Sequence, residues 1–143
     1  MIHTTAPGAA QRRVLAVALL LLAPLAEVVT VDFSTLSDFD YEEGMELPKK
    51  VQKFDGKKVR STGFIRTDDG ATEDLEEFWI VNQNCDCQGA PLLNEVVWYT
   101  LPDGTTVTND DAPITVEGTL HVKEEKADDY VLYIYRLEAD AVD

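Results

Sequence analysis

Cys85 and Cys87 are the residues whose type and spacing most clearly indicate a site for chemistry, and the chain has no other cysteine. One residue, Asp86, separates them. Gly89 and Pro91 follow, and both residue types interrupt regular strand pairing, so the sequence predicts a loop around the two thiols. Four interpretations of this pair stay open, and each predicts a different state of the sulfur atoms.

In the first interpretation the thiols form a disulfide that pins the loop, as is usual in an oxidising compartment. In the second they bind a soft cation, zinc or copper, and because a closed zinc site takes four ligands, Asp86, Glu95 or His121 would have to complete it. In the third, a short and readily reduced bridge carries out thiol–disulfide exchange. In the last, both thiols are free and buried.

The remaining sequence gives little indication of catalysis. His121 is the only histidine outside the first few residues, and it falls on the polar side of an alternating segment, which predicts an exposed strand residue. A Ser-His-Asp mechanism would have to use it, yet the chain has no Gly-x-Ser-x-Gly elbow. There is also no phosphate-binding loop, dinucleotide motif or calcium-loop spacing. The sequence therefore favours a non-enzymatic protein.

Five aromatic residues in the second half of the chain offer a second type of site. They are Trp79, Trp98, Tyr99, Tyr133 and Tyr135. Such rings can form a stacking surface for a sugar or a base, but aromatic residues on short strands more commonly lie in the core. The sequence predicts core positions for them.

The charge of the chain restricts its partners. Twelve Lys and Arg residues oppose 27 Asp and Glu residues, which gives a net charge of −15. Binding to duplex DNA depends on a basic surface, so nucleic acid is excluded as a partner, and an anionic membrane surface is disfavoured. At 45% apolar residues the chain is too hydrophobic for a disordered acidic tail.

The first thirty residues differ in composition from the rest. Arg12 and Arg13 precede an uncharged apolar run over residues 14–26, which is too short to span a bilayer that requires roughly 20 residues. This pattern is typical of a signal peptide. The alternative is an uncleaved N-terminal anchor, which would be the chain's only attachment to a membrane. We predict an exported, periplasmic or extracytoplasmic protein with a leader over residues 1–30.

Residues 31–143 are predicted to form one domain. An ordered lead-in without assigned secondary structure is followed by a short helix that opens at Leu47-Pro48 and ends at Asp55-Gly56. Alternating apolar residues bounded by Gly, Pro or Asp predict five strands at residues 58–66, 78–83, 95–101, 113–122 and 130–137. The charged stretch 123–129 is predicted to be a hairpin connection.

These elements favour an all-β fold with one short helix. Five short strands in a domain of this size suit a small OB-like Greek-key barrel, with a β-sandwich as the alternative. Gly63 and Gly118 fall inside the first and fourth predicted strands, where a bend or a bulge would allow sharp coiling.

Several short motifs, taken in order, resemble an uncharacterised bacterial family of exported or lipoprotein domains of unknown function. The matching segments are residues 54–59 (FDGKKV), 63–65 (GFI), 94–96 (NEV), 114–122 (ITVEGTLHV) and 135–140 (YRLEAD), within a similarity that covers about residues 33–142. The resemblance implies export, an OB-like barrel and an accessory role in envelope transport. Relatives with adjacent cysteines, or with a Cys and a His in the loop, differ from the Cys85-Asp86-Cys87 arrangement seen here.

Taken together, the sequence predicts an exported, non-enzymatic binding or accessory module of the bacterial envelope. Its candidate site is the loop of Cys85 and Cys87, as a site for a soft metal ion. The alternatives are a thiol–disulfide redox protein that uses the same pair, and a protein-interaction module whose disulfide is structural.

Overall fold

The computed structural model of the chain describes residues 25–85, 87 and 89–142. Within these residues it contains six strands, two short α-helices and one 3-10 turn. In chain order they are β1 (Val29–Thr30), α1 (Phe33–Ser37), α2 (Lys49–Gln52), β2 (Lys57–Arg66), β3 (Glu77–Val81), the 3-10 turn Leu93–Glu95, β4 (Val96–Thr100), β5 (Ile114–Ala127) and β6 (Tyr130–Val142).

The long strands form a closed ring. Their order is β2-β3-β4-β6-β5, and β2 pairs with β5 to close it. The pairs are antiparallel except for β4 and β6, which run parallel, and β1 adds to β2 as a short parallel strand. This is the Greek-key barrel expected from the sequence, and it confirms the all-β, OB-like prediction. The structure has two short helices instead of the single one predicted.

Strict alternation along the strands builds the core. In β2, Val59, Ser61, Gly63 and Ile65 are buried, whereas Arg60 between them is exposed. The helices add further apolar residues, since α1 buries Phe33 and Leu36 and α2 buries Val51. The largest fully buried side chains are Tyr99, Tyr135, Phe78, Leu36, Ile80, Leu120, Ile134 and Leu137.

The two strand glycines provide space for close contacts. A Cβ atom on Gly63 would lie 2.6 Å from the carbonyl oxygen of Val81 and 3.0 Å from the ring of Phe33. The register of β2 with β5 is regular at Gly63, so this residue permits close packing without forming a bulge. At Gly118 the ladder between β5 and β6 does shift, and a Cβ atom there would lie 2.0 Å from the carbonyl oxygen of Glu138.

The predicted connection over residues 123–129 is wrong, because β5 continues to Ala127 and only Asp128 and Asp129 form the turn. Its charged residues are held by contacts from the N-terminal part of the domain. The hydroxyl of Tyr41 donates to Glu124 at 2.6 Å, and Lys126 donates to Glu43 at 2.7 Å. These partners lie some eighty positions away, so the local sequence pattern does not reveal them.

The lead-in, for which the sequence predicts no particular secondary structure, contains α1 and is preceded by β1. Val29 and Thr30 of β1 fall inside the predicted leader segment, and they pair with Val59 and Arg60 of β2. The apolar run at residues 14–26 lies almost wholly outside the described residues. In the described part of the chain, no helix has the length and apolar character needed to cross a membrane.

Candidate functional site

The loop that carries the cysteines connects β3 to the 3-10 turn and spans residues 82–92; we call it the Cys loop. Cys85 and Cys87 are exposed, their Cα atoms lie 5.4 Å apart, and their sulfur atoms are at bonding distance as a disulfide. Gly89 has a φ of +88°, a backbone conformation that a side chain would disfavour. The structure therefore supports the disulfide interpretation of the cysteine pair.

The end of the Cys loop is fixed by two polar side chains. Glu95 accepts a hydrogen bond from the backbone N–H of Leu92 at 2.8 Å. Asn94 is buried and its amide donates to the carbonyl oxygens of Phe39 at 2.6 Å and Ser37 at 3.3 Å. The 3-10 turn is thereby attached to the end of α1, so the Cys loop and α1 have a fixed relative position.

Between these two elements lies a cleft of about 420 Å³. We call it the Cys-loop cleft. Its lining combines both elements with the ends of β2 and β3 and consists of Phe33, Ser37, Arg66, Val81, Asn82, Gln83, Cys85, Gly89, Ala90, Pro91, Leu92 and Glu95. Leu92, at the edge of this cavity, is 61% exposed. The cleft thus presents apolar, charged and amide groups together.

The structure brings only part of the predicted metal set together. Glu95 lines the Cys-loop cleft with Cys85, whereas Asp86 lies outside the described residues. His121 is on the outer surface of β5, where its Nε2 atom lies 3.4 Å from Glu138 and it lines a separate cavity of about 190 Å³. Among the residues described, no group of three His, Cys, Asp or Glu side chains is arranged to hold a metal ion.

A cluster of charged residues that the sequence did not indicate joins residues 41–44 to β5. Burial, followed by the hydrogen bond to Glu124, raises the pKa of the Tyr41 phenol well above its usual value. The same hydrogen bond, with a second from the Gly44 N–H, lowers the pKa of Glu124. Lys126 bonds to Glu43 and Glu124, which raises its pKa. This cluster attaches the lead-in segment to the long hairpin and does not contribute to the Cys-loop cleft.

Three of the five aromatic residues, Trp79, Trp98 and Tyr133, are only partly buried, contrary to the predicted core positions. Trp79 and Trp98 are partly exposed neighbours on β3 and β4, with ring centroids 4.7 Å apart and an interplanar angle of 62°. Tyr99 and Tyr135 are fully buried as expected. The alternation of the strands could have predicted the outward position of the two tryptophans. Buried Phe78 and Ile80 flank Trp79, and buried Val97 and Tyr99 flank Trp98.

Comparison with known proteins places the chain near other proteins without an assigned role. A sequence family described as "Protein of unknown function (DUF3299)" matches residues 21–143. The structure is similar to the crystal structure of a DUF3299 family protein from Pseudomonas aeruginosa, with a TM-score of 0.55 and 18% sequence identity over 82% of this chain and 95% of the other. At this identity the similarity shows the fold alone. No protein with a curated function matches significantly.

Proposed function

The chain belongs to the DUF3299 family of proteins of unknown function, so the family assigns it no role. We therefore propose a role on the basis of the Cys-loop cleft. The proposed role is that of an exported, non-enzymatic binding module of the envelope, in which the Cys-loop cleft receives a segment of a protein partner. The observation that carries this proposal is the disulfide-closed loop, which forms one wall of a cleft whose other wall is α1.

The composition of the cleft supports binding. Its volume of about 420 Å³ lies in the range of clefts that hold a small ligand or a few side chains. Leu92 offers an apolar contact at the rim, and Arg66 and Glu95 offer opposite charges for orienting a polar segment. Protein interfaces commonly combine an apolar centre with a polar rim.

The cleft-lining residues favour binding over catalysis. Ser37 is the one hydroxyl-bearing side chain among the described residues that line the cleft, and it donates a hydrogen bond to the carbonyl oxygen of Phe33 at 2.9 Å. Among those residues there is no histidine to act as its base. An adjacent base within hydrogen-bond reach is the usual means of activating a serine, so the arrangement is better suited to recognition.

Export is supported by the cysteines and by the leader pattern. A solvent-exposed disulfide persists in oxidising compartments such as the periplasm and is reduced in the cytosol. Both cysteines are exposed in the Cys loop, so the cytosolic reductants would have access to the bridge. The signal-peptide pattern around residues 14–26 points to the same compartment.

Photo-crosslinking in living cells tests the partner. We expect a crosslinking amino acid at Leu92 to give a discrete protein adduct, because this side chain projects from the rim of the cleft. Tyr130 is the matched control, since it is 59% exposed, lies beside the β5–β6 turn and does not line the cleft. The adduct should decrease strongly in a Cys85→Ser/Cys87→Ser background. An identical adduct from position 130, or none from position 92, would contradict the proposal.

Metal binding and redox exchange predict other states of the same cysteines. We expect the protein isolated from the envelope fraction to resist thiol alkylation until it is reduced, after which both cysteines react. Two thiols that are alkylated only after denaturation, with a native mass larger by one metal ion, would instead show a metal site, and Cys85→Ser should then abolish stoichiometric binding. A reduction potential near that of cellular thiol catalysts, well above roughly −300 mV, would favour the redox alternative.

A further inference from the structure

A third cavity lies on the outer surface of the barrel, and no described residue of the Cys loop lines it. We propose that this cavity binds a basic polypeptide segment, whose Lys or Arg side chains contact the Trp79–Trp98 pair. The inference concerns a different surface from the Cys-loop cleft and does not depend on the function proposed for that cleft. We call it the tryptophan cavity; its volume is about 490 Å³, and it lies between the β2–β3 loop and strands β3 and β4.

The tryptophan pair carries the proposal. Both rings line the cavity and both are partly exposed, although indole is among the side chains that gain most from burial. Their 62° arrangement provides two differently oriented aromatic surfaces at one position. The indole N–H of Trp79 lies 3.4 Å from a carboxylate oxygen of Asp68, which helps to fix the orientation of that ring. Tryptophan is also the side chain whose face attracts cations most strongly.

The charge around the rings determines the occupant. Six carboxylates line the cavity: Asp68, Asp69, Glu73, Asp74, Glu76 and Glu77. No lysine or arginine is among its described lining residues. A single small ammonium ion would neutralise one of these six charges, whereas a segment with several basic side chains would neutralise most of them. The count therefore favours a polycation over a small organic cation.

Two arginines lie beside the tryptophan pair on the neighbouring strands, but neither lines the cavity. Arg66 is in register with Trp79 on β2, and Arg136 is in register with Trp98 on β6. Arg66 lines the Cys-loop cleft, and Arg136 lies 3.1 Å from Glu138 beside His121. The two positive charges thus flank the tryptophan pair on either side, outside the lining of the cavity.

The loop that carries the carboxylates is held in place before a ligand binds. Leu75 is buried and exchanges two backbone hydrogen bonds with Val107, each 3.0 Å long. Within the loop, Ala71 receives a hydrogen bond from Thr67 at 2.9 Å and donates its N–H to Asp69 at 3.0 Å. A preorganised loop loses little conformational entropy when it binds, which favours affinity.

Intrinsic fluorescence can report on this cavity alone, because the chain contains only two tryptophans. We expect hexalysine to cause a saturable change in the tryptophan emission of the purified full chain at low ionic strength. The apparent affinity should fall as salt is added, because the interaction is largely electrostatic. Hexaglutamate should cause no change. Absence of a response to hexalysine would overturn the proposal.

Matched charge variants separate a specific site from general attraction to an acidic protein. Glu73→Gln/Asp74→Asn removes two charges from the cavity, and Asp128→Asn/Asp129→Asn removes two exposed charges from the β5–β6 turn. Asp74 and Asp128 both have positive φ values, which asparagine tolerates. Measured by calorimetry, affinity for hexalysine should fall several-fold in the first variant and less than about twofold in the second. Equal weakening in both would show a net-charge effect and overturn the proposal.

A third variant tests the rings directly. Trp98→Leu should weaken hexalysine binding about two- to fivefold, the effect of an exposed cation–π contact. Circular dichroism should confirm that the variant keeps its strands. Unchanged affinity in a folded Trp98→Leu protein would contradict the assigned role of the rings. Tetramethylammonium is the probe for the small-cation alternative, and binding of it as tight as that of hexalysine would overturn the choice of a polypeptide.

Discussion

The variant Gly118→Ala is expected to lower the free energy of unfolding by about 3 kcal/mol or more, or to prevent folding. The added Cβ atom would lie 2.0 Å from the carbonyl oxygen of Glu138 and 2.7 Å from its carbonyl carbon. Both are backbone atoms of the strand paired with β5, so no side-chain rotation can relieve the overlap. The ladder would have to shift further at a place where its register is already irregular.

Urea unfolding of the variant and the natural protein measures this effect as a change in midpoint at constant slope. Gly104→Asn is a suitable control. Gly104 has a φ of +77°, which asparagine tolerates, and a Cβ atom added there would meet no other atom within 4 Å. The control should cost less than about 1 kcal/mol. A Gly118→Ala protein as stable as this control would show that the β5–β6 ladder yields easily.

Stability is also expected to fall steeply above pH 10. Tyr99 and Tyr135 are fully buried, and burial raises the pKa of both phenols, with Asp140 and Glu117 adding to the effect at Tyr99. In the unfolded chain each phenol ionises near pH 10. The folded state retains these protons at higher pH than the unfolded chain does. The contribution of the two neutral phenols to the free energy of unfolding is therefore complete below pH 10. It is lost as pH rises from there towards the raised folded-state pKa.

The expected slope is about 1.4 kcal/mol per pH unit for each of the two tyrosines. Denaturant unfolding at several pH values between 9 and 12 measures it. Tyr135→Phe should reduce the slope by the share of one tyrosine, although loss of the hydrogen bond to the Leu36 carbonyl, 2.8 Å long, also lowers stability at neutral pH. The same slope in both proteins would contradict the assignment of a neutral buried phenol to Tyr135.

Alternation alone was sufficient to predict the barrel strands. Val116, Gly118 and Leu120 face the core as the pattern indicated, because a strand with one buried face must place every second residue inside. The extension of β5 to Ala127 could not be predicted in this way. Its residues are charged on both faces and depend on Tyr41 and Glu43, which are brought to the hairpin by the fold.

The candidate sites also depend in part on contacts between residues that are distant in the sequence, which the local pattern does not reveal. The Cys loop was evident from Gly89, Pro91 and the cysteines, but its partner α1 was not, since Asn94 joins the two through carbonyl groups more than fifty positions away. The outward position of Trp79 and Trp98 could have been predicted from alternation. The general preference of aromatic residues for the core led to the opposite expectation. His121 is only partly exposed on its strand, whereas its polar neighbours indicated an exposed residue.

The pairing of β2 with β5 also determines when the barrel can form. It joins residues more than fifty positions apart, Gly63 with Ile114 and Lys57 with Leu120, and β6 must be present to complete the circuit. Proteins with such non-local contacts fold slowly, on the scale of milliseconds to seconds. A long loop has to close, at a cost in entropy, before these contacts can stabilise the chain. A nascent chain therefore stays open until its last strand has left the ribosome. Under the export that we propose, this delay leaves a translocation machinery time to engage the chain before the ring closes.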